Sequence, residues 1–479
     1  MKTVRPLSTS SIRLLLCFLI GLCLFVSTPQ RASAYSVLTH EELVDLAWNN
    51  SIRGLLLQHF PGTTDAQLET AHAYAYGGCA IQDMGYYPFG HAFFSDLTHY
   101  VRTGDFIDAL FRNAHTVNEY AFALGALSHY LADNIGHQNA INISTPVEFP
   151  RLGEKYGRSV TYDESPHAHI RTEFAFDIDQ LSKERFPPAD YLEKVGLQVP
   201  QTLMERAFFE TYGLTLRSQL GRERPAFRSY RSSVRHFVPE VAYAEVLAHK
   251  NAFPADNTGP EFQKYQARLA QANAVEGWDK YRHKPGVGSH ILSYFIRVVP
   301  KVGPFSILAI RGPTQETESK YITSLNNTDD ALDQLIAELR KQQHPILQLP
   351  NLDLDTGAKI QPGGYRLTDK TYSQLLDRIT KDPNRLVPAG LKKNLLAFYS
   401  DPKAPITTKK NKRDWARVQR ELPILQGMQT VTMRTAQKIA DGIVPTDATV
   451  PTNSIPSING APPVRGDKGI ANAATILRP

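Results

Sequence analysis

His129, Asp133 and His137 follow one another at steps of four residues, and His169 and Glu173 repeat that step further along the chain. Side chains four apart share one helical face, so two helices carrying these strips would bring five imidazole and carboxylate groups to one cleft. Imidazole nitrogen and carboxylate oxygen are donors suited to zinc, and clustered divalent ions in such a cleft do hydrolytic chemistry. A buried polar network uses the same residue types, and a lone His–Glu pair at this spacing is ordinary surface pairing. Two strips in otherwise apolar helices favour the metal reading. Asp177 extends the second strip and is placed to orient a ligand, while His167 points away from it. Upstream, His40, Asp83, His91 and His99 are further candidates without periodic support. HExxH and CxxC zinc spacings, a P-loop, a dinucleotide fingerprint and a GxSxG elbow are all missing, which argues against the common protease, zinc-finger, nucleotide-binding and serine-hydrolase readings.

These residues need helices to hold them. Ten of the fifteen histidines lie between His40 and His169, so the chemistry is expected in the first half of the chain. A helix is expected over 41–60, with Thr39 as its cap and Glu42 three residues on. A second covers 64–81, with Ala71, Ala75 and Cys79 in series. A third covers 116–141, with Leu124, Leu127 and Leu131 on its apolar face. A fourth begins at Pro166, where proline is tolerated, and runs to about Arg185. Residues 145–166, holding Pro146, Pro150, Gly153 and Gly157, read as a loop. Further helix is expected at 203–209, 238–249, 262–276 and 329–342, and a β-like texture at 298–311. Asp353 and Asp355 lie in a turn-rich stretch and read as turn residues rather than calcium ligands. The fold class is mostly α. The divisions expected are 35–245 for a helical metal-binding domain, 246–345 for a helical or mixed extension, 346–444 for a C-terminal module, and 445–479 for a flexible tail rich in proline.

Residues 1–34 read as a cleaved signal peptide. Lys2, Arg5 and Arg13 precede an apolar stretch from about Leu14 to Val26, and Ala32-Ser33-Ala34 has the form of a cleavage site. The apolar stretch is short for a span of ~20 residues. The leader carries four basic residues and no acid, so its removal lowers the formal net charge from +6 to +2. That bias is too small to argue for a nucleic-acid partner. Only Cys79 remains in the mature chain, so no intrachain disulfide can form, and an exported protein of this size must be held by its core, by metal, or by both. About 445 residues are enough for two or three domains.

On these residues the chain resembles the zinc-dependent phospholipase C family, related to the P1 nucleases. The resemblance implies a helical metal-binding fold with an additional C-terminal region, three zinc ions, and an amino terminus that chelates one of them after signal cleavage. That terminus would be Tyr35, with His40 five residues beyond; tyrosine stands where the family usually has tryptophan, but the chelate uses main-chain atoms. Carried over in order, Asp83 resembles the aspartate of the paired metal site and proposed general base, and His99 the next histidine, with His91 as a substitute. His129 and Asp133 match HxxxD, whose aspartate bridges two metals. His137 follows at a shorter gap than is familiar, and His169 and Glu173 match the closing HxxxE. The implied ion sites are Asp83, His99, His129 and Asp133; Asp133, His40 and Tyr35; and His137, His169 and Glu173. Asp83, Asp133 and Glu173 are the candidate catalytic carboxylates. The implied activity is hydrolysis of phosphodiesters, most of all phospholipids, with transient membrane-surface contact and no stable protein partner. A secreted single-strand nuclease acting on nucleic acid and a non-enzymatic zinc-stabilised binding protein are the alternatives. Tyr86, Tyr87, Phe89, Phe93, Phe94 and Tyr100 lie near the candidate ligands and would contact lipid, stack on bases or fill the core.

Overall fold

The computed structural model describes residues 36–248, 254–255, 258–282, 292–294, 296, 310–341 and 347–432. The leader, Tyr35, residues 298–309 of the β-like stretch and the 445–479 tail lie outside them. Helices dominate the described residues. Those that build the site are α1 (Val37–Ala47), α2 (Asp65–Gly78), α3 (Ala92–Tyr100), α4 (Val117–Gly136) and α5 (Pro166–Ser182). Two later helices, α6 (Gln315–Lys341) and α7 (Arg366–Thr380), come from the second half of the chain. A two-residue parallel pairing of Val387–Pro388 with Thr430–Val431 ties the C-terminal helices together. One continuous apolar core runs through side chains from Val37 to Met428.

The starts of α2 and α4 are written in the sequence. Thr64 with Gln67, and Thr116 with Glu119, form reciprocal capping boxes, each satisfying amide groups that the helix itself cannot, worth about 1 kcal/mol. The first helix differs from expectation. It begins at Val37 behind Ser36, so Thr39 sits inside it. The helix also passes through a π-helical turn at Trp48–Ile52 before resuming as Arg53–His59. Residues 145–166 are not wholly a loop: Asn142–Glu148 and Pro150–Tyr156 are short helices. Pro150 occupies a first-turn position, where its missing N–H costs nothing. Pro146 would orphan the Asn142 carbonyl, but that oxygen accepts the Val160 N–H at 2.8 Å instead.

Helices α2 and α4 make the tightest helix crossing that bears on the site. A Cβ on Gly125 would lie 2.0 Å from the Ala75 carbonyl oxygen, and one on Gly78 would lie 2.1 Å from the Phe122 carbonyl oxygen. The two glycines therefore press backbone against backbone. Ala71 and Ala75 lie on the contacting helix and Cys79 caps its end, and all three side chains are buried. Gly125→Ala is expected to destabilise the protein by about 2–3 kcal/mol, read as a lower denaturant midpoint. Gly427→Ala, at a position with open space around it, is the control and should be neutral.

Candidate metal centre

Each strip is placed by a different element. His40 lies in the first turns of α1, and Asp83 in the 3-10 turn Ile81–Tyr86 that follows α2. His99 ends α3, His129 and Asp133 lie on α4, and His169 and Glu173 on α5. At His137 the α4 helix widens into the π-helical turn His137–Ile141, a feature frequent at functional sites. The Asp83 turn is pinned from both sides: Gln82 Nε2 donates to the Ala126 carbonyl at 3.0 Å, and Thr98 Oγ donates to the Gln82 carbonyl at 3.1 Å. All eight candidate side chains within the described residues are buried.

The groups converge in three clusters able to hold a metal ion: His40, His129 and Asp133; Asp83, His99 and His129; and His137, His169 and Glu173. Asp133 presents Oδ1 to His40 Nε2 at 3.5 Å and Oδ2 to His99 and His129 Nε2 at 3.3 and 3.2 Å. His99 Nε2 also faces Asp83 Oδ1 at 3.3 Å, and Glu173 Oε1 faces His169 and His137 at 3.0 and 3.6 Å. The opposite ring nitrogens are already committed. His129 Nδ1 lies 2.9 Å from the Cys79 carbonyl, His99 Nδ1 lies 2.8 Å from the Ser95 carbonyl, and His137 Nδ1 lies 2.6 Å from the Leu354 carbonyl. A carbonyl only accepts, so each Nδ1 carries a proton, and each Nε2 is turned towards a carboxylate oxygen. Either a proton or a cation must lie between the two atoms of such a pair. Ligands of a tetrahedral zinc bound at about 2.0 Å are about 3.3 Å apart, the spacing found here. The residues therefore fit zinc, and the three clusters are consistent with three zinc sites.

Charge at the centre follows the same logic. Burial alone would raise the Asp133 carboxyl, yet the surrounding imidazoles of His129 and His99 hold it well below its ordinary value. Burial opposes a proton on His99 and His129, but Asp133 and Asp83 outweigh it and hold both above the ordinary imidazole value. At the edges desolvation wins. His40 is pushed down to about 3, His137 is lowered, and His169 is well below its usual value. Glu173 is pushed well up by burial and by the nearby charges of Asp133 and Asp83.

The placement of the other candidates is equally definite. Tyr35 lies outside the described residues. His91 is exposed and caps α3 through its Nδ1, which accepts the Phe93 N–H at 3.2 Å, so His99 is the one brought to the cluster. His167 is exposed. Asp177 holds the start of α1, accepting the Leu38 N–H at 3.1 Å and the Thr39 hydroxyl, and so fixes the helix that carries His40. Asp353 closes a turn on Thr356 N at 3.1 Å, as expected. Beside the ligands lie two features with no signal in the ligand strips: the Leu354 carbonyl, which meets His137 Nδ1, and the buried side chain of Asp355 next to it.

Comparison with known proteins adds one match. No curated protein and no solved structure matches the chain. Residues 39–221, which contain every candidate ligand except Tyr35, match the family model of zinc dependent phospholipase C, and this match with the three clusters supports a zinc-dependent hydrolase acting on phosphodiester bonds.

Proposed function

We propose that the centre hydrolyses phospholipids in the phospholipase C manner. The observation that carries this reading is the set of buried imidazoles whose Nδ1 protons are committed to backbone carbonyls while their Nε2 atoms converge on Asp83, Asp133 and Glu173. Asp83, His99 and His129 would hold one ion, and His137, His169 and Glu173 another. Asp133, facing imidazoles with both oxygens, would be shared between that first ion and a further one held by His40 and the Tyr35 terminus. Bound there, zinc would neutralise the phosphodiester's charge and acidify water. Asp83 would be the proton acceptor: its buried Oδ1 faces His99 Nε2 at 3.3 Å, and the imidazoles of His129 and His99 hold its carboxyl below the ordinary value against burial. Two features support a lipid substrate. The matched family is described by that substrate class. Among the six aromatic residues near the ligands, Tyr87, Phe93, Phe94 and Tyr100 are buried, whereas Phe89 is 65% exposed at a backbone φ of 64°. The loop between Asp83 and His99 thus presents an apolar ring outward, suited to transient contact with a lipid surface. Export after cleavage at Ala34 fits the same reading, because Tyr35 then directly precedes Ser36, the residue that opens the His40 helix.

Asp133→Asn should lower phosphatidylcholine hydrolysis by about 100-fold or more while leaving the helical circular dichroism unchanged, and chelation should abolish activity that added zinc restores. Hydrolysis of single-stranded DNA but not of phospholipid would transfer the assignment to a nuclease, and metal uptake without either activity would leave a binding protein.

Mass spectrometry of the exported protein should give Tyr35 as the first residue. A retained leader would remove the terminal chelate from the scheme.

Zinc and protons compete for the same Nε2 atoms. His99 and His129 are held above their unfolded values in the metal-free fold, so their protonation stabilises that state fully below about pH 6.5 and the benefit fades as pH rises through the folded values. Acidification should therefore weaken zinc binding by roughly tenfold per pH unit for each proton displaced. The difference in melting temperature between zinc-loaded and metal-free protein should narrow from about pH 7.5 to about pH 5.5; a widening gap would contradict this account of the site.

A further inference from the structure

The match to the family ends at residue 221, yet the centre does not. The segment 351–360 folds back over it. The Leu354 peptide spans two candidate ligands, its carbonyl lying 2.6 Å from His137 Nδ1 and its N–H donating to the His99 carbonyl at 3.1 Å. The turn beneath is stiff. Gly357 N–H donates to the Asp353 carbonyl at 2.7 Å, and Thr356 and Thr368 bind the Asp353 carboxylate. Gly357, at φ 61°, lies against the Asn134 carbonyl and Gln138, where a Cβ would clash, so the turn is seated on the junction between Asp133 and His137.

Asp355 follows this bridging peptide and is fully buried. Its Oδ2 accepts the Tyr100 hydroxyl at 2.9 Å and the Tyr365 hydroxyl at 2.7 Å, and its backbone carbonyl accepts Asn142 Nδ2 at 2.8 Å. These partners tie it to the end of α3, to the start of α7 and to the helix after the π-helical turn. Its Oδ1 has no hydrogen-bond donor among the described residues. Burial and the Asp353 carboxylate beside it push its carboxyl up to about 8, with the two tyrosine hydroxyls and His99 opposing them. A buried carboxylate with an unused acceptor is costly, and such a group is tolerated where a cation lies within reach of its field.

We propose that Asp355 is a positioning residue of the metal centre, so that the region beyond the family-matched unit completes that centre. Resting on the reading of the three clusters as zinc sites, the role has two parts. Through Tyr100 and the Leu354 peptide, Asp355 fixes the orientation of His99 and His137. With a divalent cation bound, its carboxylate would add negative charge beside those of Asp83, Asp133 and Glu173. Groups that orient metal-binding histidines typically change metal affinity by 10- to 100-fold when altered.

The test uses the full mature protein, with zinc affinity from chelator competition, the visible spectrum of the cobalt-substituted form, and melting of the metal-free form. Asp355→Asn keeps the shape and one acceptor oxygen but removes the group that can ionise when a cation binds. It should bind zinc about 10- to 100-fold more weakly and shift the cobalt bands, with no loss of metal-free melting temperature. The opposite pattern, a lower metal-free melting temperature with parental zinc affinity and cobalt spectrum, would show a mere structural brace and overturn the proposal. If Asp355→Asn does not fold, Tyr365→Phe, which deletes one hydroxyl from a partly exposed ring, carries the test. It should weaken zinc binding a few-fold and move the cobalt bands, and parental values in both would overturn the proposal. A parental protein that takes up neither zinc nor cobalt would instead overturn the metal-centre reading itself, so the two failures are distinct.

Discussion

The centre depends on the closeness of two helices. Gly78 and Gly125 let α2 and α4 approach until one backbone touches the other, and the site is laid out from that contact. Gly125 lies one turn before His129, and Cys79 lies just past the end of α2, so the approach brings the Cys79 carbonyl to His129 Nδ1. It also sets the Asp83 turn, which leaves α2, against the Ala126 carbonyl on α4. A wider crossing filled with larger side chains would bury more apolar area, but it would separate the carbonyl from the imidazole and Asp83 from His129. Packing density was traded here for backbone proximity, because the hydrogen bonds that orient the histidines come from the main chain.

Main-chain carbonyls orient three of the imidazoles, and each comes from a different part of the fold: Cys79 beyond α2, Ser95 within α3, and Leu354 far along the chain. A carbonyl cannot change protonation state, so these anchors fix the tautomer at any physiological pH, and the ring's only freedom is whether Nε2 meets a proton or a cation. The carboxylates gathered opposite make the choice unequal within the cluster. Around Asp133 the fold favours positive charge on His99 and His129, whereas desolvation keeps His40, His137 and His169 neutral. The neutral rings at the edges each keep a nitrogen lone pair that a divalent ion would take up.

Much of this was legible in the residues. The four-residue strips placed His129, Asp133, His169 and Glu173 on shared faces, and threonines followed three residues later by Gln67 or Glu119 marked the starts of α2 and α4. Asp83 and His99 had no periodic signal, because each comes from a separate short element, and the family resemblance alone singled them out. Thr39 misled because a local threonine-to-glutamate pattern looks like a cap, whereas the carboxylate that serves the start of α1 is Asp177, 139 positions away from Leu38. The short helices after residue 141 were hidden by two prolines: Pro150 stands in a first turn that needs no amide, and the hydrogen bond that Pro146 lacks is made good by a distant one, that of Val160. The contribution of Leu354 could not be read at all, since any residue except proline would offer the same N–H and carbonyl. Side-chain chemistry is visible in a sequence, and main-chain chemistry becomes visible only once the chain has a path.

That path has a temporal side. His137 and the carbonyl that orients it are 217 positions apart, with the whole of α6 between them. Contacts of such sequence separation close late, because the entropy of the intervening loop must be lost first. The ligand helices are therefore made, and can pack, well before the piece that locks His137 exists. Until the Leu354 turn arrives, its imidazole is free to choose either tautomer. The orientation of His137 is thus a property of the whole chain rather than of the helix that carries it, and a chain ended before residue 354 would have the ligand without its anchor.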